Sequence, residues 1–267
     1  LPGISEGARA SVVGKIRNDG QYIVHNGDEE IVNAKAKEVT EGFLYDRLYE
    51  ARKNNFIEPN LPEPTNYNQV LLDILSHENM ASREPVFEQY DKQVQGRIHT
   101  ETGLADSGVM APFNSEKYPE EIRNVGIALS TDHNPRYGLI DPYWGGINAV
   151  VESMQNVAAV GATPHALSDC LCFGNPEKPH QMWEFVESVR GVSDACHAIT
   201  LKDNPNHATP IIAGNVSFYN ESKSGAIPPS PILSCLGRFK DVNKAVPAHF
   251  QKLDSIVLMI GERKNEL

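Results

Sequence analysis

The chain has 267 residues, 40% of them hydrophobic and 7% aromatic, with a formal net charge of −11. That is enough apolar material for a sizeable core, in one large domain or a domain with pieces of others, and it excludes wholesale disorder. The acidic balance and the lack of any Lys/Arg run exclude broad binding to nucleic acid or an anionic membrane, since both need a basic face.

A small anionic ligand remains compatible with this charge where a metal or backbone amides supply the positive partner. There is no signal peptide and no apolar run near about 18 residues. The four cysteines are Cys170, Cys172, Cys196 and Cys235. Two apart in a strand, Cys170 and Cys172 would share a face as small buried residues. No second close pair completes a four-ligand zinc pattern, so reduced thiols in a cytoplasmic protein are expected. The chain starts at Leu1 and stops just after "DSIVLMIGERKNEL", which reads as a piece of a longer chain.

Residues 1–35 read as β structure. "ASVVGKI", "QYIVHN" and "EEIVNAKA" are separated by Asn18-Asp19-Gly20 and Asn26-Gly27-Asp28, both strong hairpin signals. Residues 36–58 look helical, and 58–68, with three prolines, reads as a linker, so a domain boundary is expected near residue 65. A helix follows with Val70, Leu71, Ile74 and Leu75 on one stripe. "GRIHT", "SGVMAP" and "NVGIALSTD" then read as strands.

Asp141-Pro142 is an N-cap followed by Pro at the first helical position, and Gly161 is a plausible stop. "PHALSDCLCF" is a strand, and a second helix from Pro179 puts Met182, Phe185, Val186, Val189 and Cys196 on one face. "TPIIAGNVSFYNE", "SPILSCLGRFKD" and "DSIVLMIGE" are further strands. Strands and helices mixed in this way predict an α/β or α+β domain.

Three strand ends carry polar groups suited to chemistry. Within residues 209–221, alternation places Asn215 and Ser217 on one strand face, while Gly214 lets a backbone approach closely. An Asn carbonyl suits magnesium and a Ser hydroxyl suits a phosphate oxygen, although a solvent-facing Gly-Asn bulge fits the same spacing. Asp169 stands in an otherwise apolar strand, where an unpartnered carboxylate would cost several kcal/mol. In residues 130–146, Asp132, His133, Asn134 and Arg136 gather before the helix at 141, whose N-terminus can attract a phosphate, and Gly145-Gly146 allow close approach. His133 fits either a general base or a plain hydrogen-bonding residue. Asp106 opens another apolar strand. No P-loop, G-x-G-x-x-G, H-E-x-x-H or Ser-His-Asp signature is present.

Four stretches in order, "ILSHENMASREPVFEQYDKQVQG", "STDHNPRYGLIDPYWGG", "SDCLCFGNPEKP" and "AGNVSFYNES", strongly resemble the synthetase subunit of the phosphoribosylformylglycinamidine synthase family of de novo purine biosynthesis. That family consists of two similar halves, each an aminoimidazole-ribonucleotide-synthetase-like N-terminal domain, with a mixed sheet and flanking helices, followed by a C-terminal domain. The resemblance implies that residues 1–64 end a preceding α/β domain with its linker. It makes 65–250 the nucleotide-binding domain of the second half and 251–267 the first strand of a following domain.

The family uses ATP to phosphorylate the amide oxygen of formylglycinamide ribonucleotide, and glutamine-derived ammonia then displaces the phosphate. Matched motif to motif, Asp169 and Gly214 fall at ATP contacts, Asn215 at a magnesium ligand and Ser217 at a substrate contact. A glutaminase subunit and a small bridging subunit are the implied partners. The catalytic His belongs to the first half, so no catalytic residue is expected here. Thr131 stands where the first half's loop has a Glu ligand, and Asn156 where it has a metal-binding Asp, so His133 reads as a structural counterpart. Because such domains pair their sheets, this piece is expected to form a homodimer. Selenophosphate and thiamine-phosphate enzymes of the same superfamily lack "GNPEKP" and "DHNPRY" together. The alternative of another class is a non-catalytic scaffold that holds a nucleotide without turning it over.

Overall fold

The structure, a computed structural model, describes residues 10–262 except 43, 54, 55 and 102. Contacts divide the chain into a unit ending at Asp46 and a unit beginning at Arg47. In the first, β1 (Gln21–Asn26) and β2 (Glu29–Lys35) form an antiparallel hairpin around Asn26-Gly27-Asp28, with Gly27 at φ +61° as such a turn requires. Helix α1 (Ala36–Glu41) follows.

Two expectations change here. Residues 10–16 carry no strand, and Val12 and Val13 are exposed, since no neighbouring strand supplies the ladder bonds. The helix expected over 36–58 stops at Glu41, where Gly42 takes φ +62° and leaves the helical region; beyond it the described residues to 58 are irregular.

The second unit opens with segment 47–64, which Arg52 ties to later residues. Its guanidinium donates to Glu184 at 2.7 Å and to the carbonyls of Gly138 and Leu139. Segment 47–64, which precedes the boundary expected near residue 65, thus belongs by its contacts to the second unit. Helices α2 (Tyr67–Ser76) and α3 (Glu84–Phe87) come next. The stripe of α2 holds no buried residue: Leu71, Ile74 and Leu75 stay half exposed, so the pattern made a helix without a packing partner among the described residues.

Then come β3 (Ile98–Thr100), β4 (Gly108–Met110), β5 (Gly126–Asp132), α4 (Pro135–Ile140), α5 (Pro142–Ala159), β6 (Thr163–Cys172) and α6 (Pro179–Ala198). β7 (Thr200–Leu201) and β8 (Asn204–Ala208) form a hairpin, followed by β9 (Ile211–Ser217). A second small hairpin of β10 (Glu221–Ser222) and β11 (Gly225–Ala226) leads to β12 (Ser230–Phe239).

Six strands make one mixed sheet in the order β3-β4-β5-β12-β6-β9, antiparallel except for the β6–β9 pair joined through α6. One sheet face is covered by α5, whose Val150, Met154 and Val157 meet Ala128, Leu233, Cys235 and Phe239 in the core. Among the described residues no helix covers the other face, and Leu129 is 53% exposed there.

Helix α5 begins at the expected cap: Asp141 accepts from the Tyr143 and Trp144 amides at 2.9 and 3.2 Å. Its end is also as expected, with Gly161 at φ +90°. The inner face of α6 is different. Gln181, Glu184, Ser188, Gly191, Val192, Ala195 and Cys196 are its buried residues, while Val189 is exposed. The reason is close helix packing, since a Cβ on Gly146 would strike the Ser188 carbonyl and one on Gly191 the Tyr143 carbonyl. Small residues, rather than large apolar ones, let the two backbones meet. Residues 254–262 form no strand, and Val257, Leu258, Met259 and Ile260 are exposed, with no pairing neighbour among the described residues. Residues 1–9 and 263–267, parts of the first and last expected β segments, lie outside the described residues.

Candidate functional site

The parallel pairing of β6 with β9 sets Asp169 opposite Gly214, Cys170 opposite Asn215 and Cys172 opposite Ser217. Side chains paired in this way point to the same side of a sheet. Asp169 therefore lies on the helix side under Gly214, where a Cβ would come 2.7 Å from its Oδ1. Asn215 and Ser217 share the open face with Cys170 and Cys172.

The structure thus brings Asp169 to Gly214, and Asn215 to Ser217, on opposite faces of one sheet edge. The Asn215 side chain lies on the face opposite the Asp169 side chain, because register between strands, not alternation within each, decides the face. Contact between the two residues runs through the backbone: the Asn215 amide bonds the Asp169 carboxylate and opposes the larger effect of burial, which raises its pKa.

Asp169 faces a cavity of about 280 Å³ that Leu171, Val192, Cys196, Thr209 and Ile211 also line. Burial pushes the Cys196 thiol up to about 11 there, with the Asp169 charge adding to it. On the open face, the Asn215 amide nitrogen lies 3.5 Å from Cys170 Sγ, and the two cysteine sulfurs are 3.7 Å apart. Ser217 is held by Asn220, whose amide also bonds the Ser217 and Phe173 carbonyls at 2.9 and 3.0 Å. Edge-to-face contacts from Phe185 to Phe173 and Phe218 fix both strand ends onto α6.

The cluster at 130–146 is dispersed. Asn134 caps α4 by accepting from the Arg136 amide, so this stretch is a helix and not an open loop. The first amides of α5 are taken by Asp141, which closes that N-terminus to a phosphate. Gly145 and Gly146 are buried against Gly138 and Ser188, where they serve helix packing. Asp132 accepts from Asn156 at 2.7 Å, and Glu152 is raised by burial and then by the Asp132 charge. His133 is half-buried, and burial lowers its pKa. Asp106 is exposed in the bend that precedes β4.

Among the described residues no three His, Cys, Asp or Glu side chains form a group fit to hold a metal ion. Asn215 supplies one neutral oxygen, so a magnesium ion here would take its other oxygens from phosphates and water. Sequence reasoning missed the apposition of Cys170 with Asn215, which only the β6–β9 register could have revealed.

Residues 106–239 match the family described as AIR synthase related protein, N-terminal domain. The phosphoribosylformylglycinamidine synthase subunit PurL of Methanothrix thermoacetophila is 47% identical over 267 residues, covering 100% of this chain and 34% of that protein. The subunit of the same name from Moorella thermoacetica is 36% identical over 270 residues, covering 98% of this chain and 34% of its own length. The chain therefore spans about a third of the curated relatives it matches. Among solved structures, PurLQS from Thermotoga maritima superposes with a TM-score of 0.62 at 22% identity, over 86% of this chain and 33% of that one. T. maritima PurL complexed with ATP superposes with a TM-score of 0.58 at 22% identity, over 85% of this chain and 32% of that one. These likenesses establish the fold.

Proposed function

Through residues 106–239 this chain belongs to the family described as AIR synthase related protein, N-terminal domain, and from that premise we propose that it is part of an ATP-dependent, amidine-forming ligase. The reaction takes formylglycinamide ribonucleotide, ATP and ammonia to formylglycinamidine ribonucleotide, ADP and phosphate, a reading that the name shared by two relatives, phosphoribosylformylglycinamidine synthase subunit PurL, supports. Residues 65–250 are the nucleotide-binding domain in this reading, with a glutaminase subunit delivering ammonia through an assembly that includes a small bridging subunit. The setting is cytoplasmic; no helix among the described residues is long and apolar enough to cross a membrane.

One observation carries the site assignment: a carboxylate and a glycine meet at the edge of the sheet, with an amide and a hydroxyl on its reverse. Asp169 and Gly214 form the ATP contact, where the absent Cβ leaves the space that the carboxylate occupies. Ser217 binds the ribonucleotide, and Asn215 offers magnesium its one oxygen. Magnesium supplies charge neutralisation on the phosphates when bound, while this chain's residues orient the two substrates.

The test is steady-state kinetics of the full-length protein with ammonium as nitrogen donor. Asp169→Asn should raise the KM for ATP, and Ser217→Ala the KM for the ribonucleotide. Asn215→Ala should lower activity at least ~10-fold, with partial recovery at high magnesium. Parent-like constants in all three variants would overturn the reading.

A further inference from the structure

The two cysteines on the open face have no part in that assignment, yet their geometry is specific. Alternation along β6 turns both side chains to the same side, and their sulfurs sit 3.7 Å apart, with the Asn215 amide 3.5 Å from Cys170 Sγ. Both residues are partly exposed, whereas Cys196 and Cys235 are buried. We propose that Cys170 and Cys172 form a bidentate thiolate site for a soft divalent cation of the zinc and cadmium class, with Asn215 beside it as a third donor.

Bond lengths favour this over a disulfide. With metal–sulfur bonds of about 2.3 Å, a separation of 3.7 Å subtends about 107° at the metal, close to tetrahedral. A disulfide instead needs sulfurs about 2.05 Å apart and Cα atoms within ~6.8 Å, the upper edge of what alternate strand residues offer. Closing it would bend a strand that is pinned on both sides, since Cys170 pairs with Ile232 and Asn215, and Cys172 with Ser230 and Ser217.

The lack of a second close cysteine pair rules out a four-thiolate structural centre and leaves coordination positions for Asn215 and water. Rotation of the amide presents Oδ1 in place of Nδ2. On binding, two S–H bonds release their protons to solvent, two metal–sulfur bonds form, and no electrons are transferred. The bound cation would occupy the face that carries Asn215 and Ser217, so soft metal and substrate would compete.

The test titrates Cd²⁺ into the full-length protein, kept reduced with a thiol-free reductant, and follows thiolate-to-cadmium charge-transfer absorption. The expected result is one saturating equivalent that the Cys170→Ser/Cys172→Ser double variant lacks, with at least ~10-fold weaker binding in either single variant. A band that persists unchanged in the double variant would overturn the proposal. Should the double variant fail to fold, phenylarsine oxide decides on the unaltered protein. It condenses with two adjacent thiols and releases one water, so the peptide containing Cys170 and Cys172 should carry one arsenical. An unmodified peptide would equally overturn it.

Discussion

Asp169 lies beneath Gly214 so closely that a single methyl group at residue 214 would come 2.7 Å from its Oδ1 and 3.0 Å from its Oδ2. Gly214→Ala should therefore drive the carboxylate from its position and cost about 1–3 kcal/mol of stability. Asp169→Ala removes the obstacle, so the double variant should recover part of that loss. Denaturant unfolding of the four proteins should give a coupling of about 0.5–3 kcal/mol. Additive losses would mean that the two residues do not compete for this space.

The same carboxyl should leave a signature in the dependence of stability on pH. Burial raises the folded-state pKa of Asp169. A raised acid binds more protons folded than unfolded, so its contribution falls as pH climbs from the ordinary aspartate range through the folded value. Asp169→Asn removes that loss. The variant should be the more stable protein at neutral pH, and its advantage should shrink as the pH falls. A gain that instead grows in acid would show a carboxylate stabilised by its surroundings.

Arg52 and Glu184 are joined at 2.7 Å with little exposure on either side. Burial raises the Glu184 pKa, against the Arg52 charge that lowers it. Arg52→Ala leaves that acid buried without its partner and frees the Gly138 and Leu139 carbonyls, so a loss of about 3–5 kcal/mol is expected. Adding Glu184→Gln should return part of it. Thermal melts within a degree of the parent would mean that segment 47–64 is not anchored through this pair.

The helix-free sheet face, with Leu129 and Met110 exposed, is the surface expected to pair with a second sheet. The chain on its own should form a two-fold dimer at roughly tens of micromolar, the range in which standard-sized interfaces are populated. Light scattering gives the mass directly, and a clean monomer would count against pairing through this face.

What the sequence by itself determined is local. The Asp141-Pro142 start and Gly161 end of α5 were legible because caps and positive-φ stops are made by the residues themselves. The shared face of Asn215 and Ser217 was legible because alternation within one strand needs no neighbour. Four motifs in order also pointed to the domain type that residues 106–239 match.

Only the tertiary structure decided which strands lie side by side. The β6–β9 register put Asp169 across the sheet from the Asn215 side chain and set Cys170 beside it. It was likewise the contact with α5 that chose Ser188 and Gly191 for the inner face of α6 over the larger apolar residues. Residues 10–16 and 254–262 read as strands, but a strand exists only where another supplies its hydrogen bonds, and none does so here among the described residues. Pairing partners and helix contacts are set by residues far apart in the chain, and no local pattern encodes the distance between them.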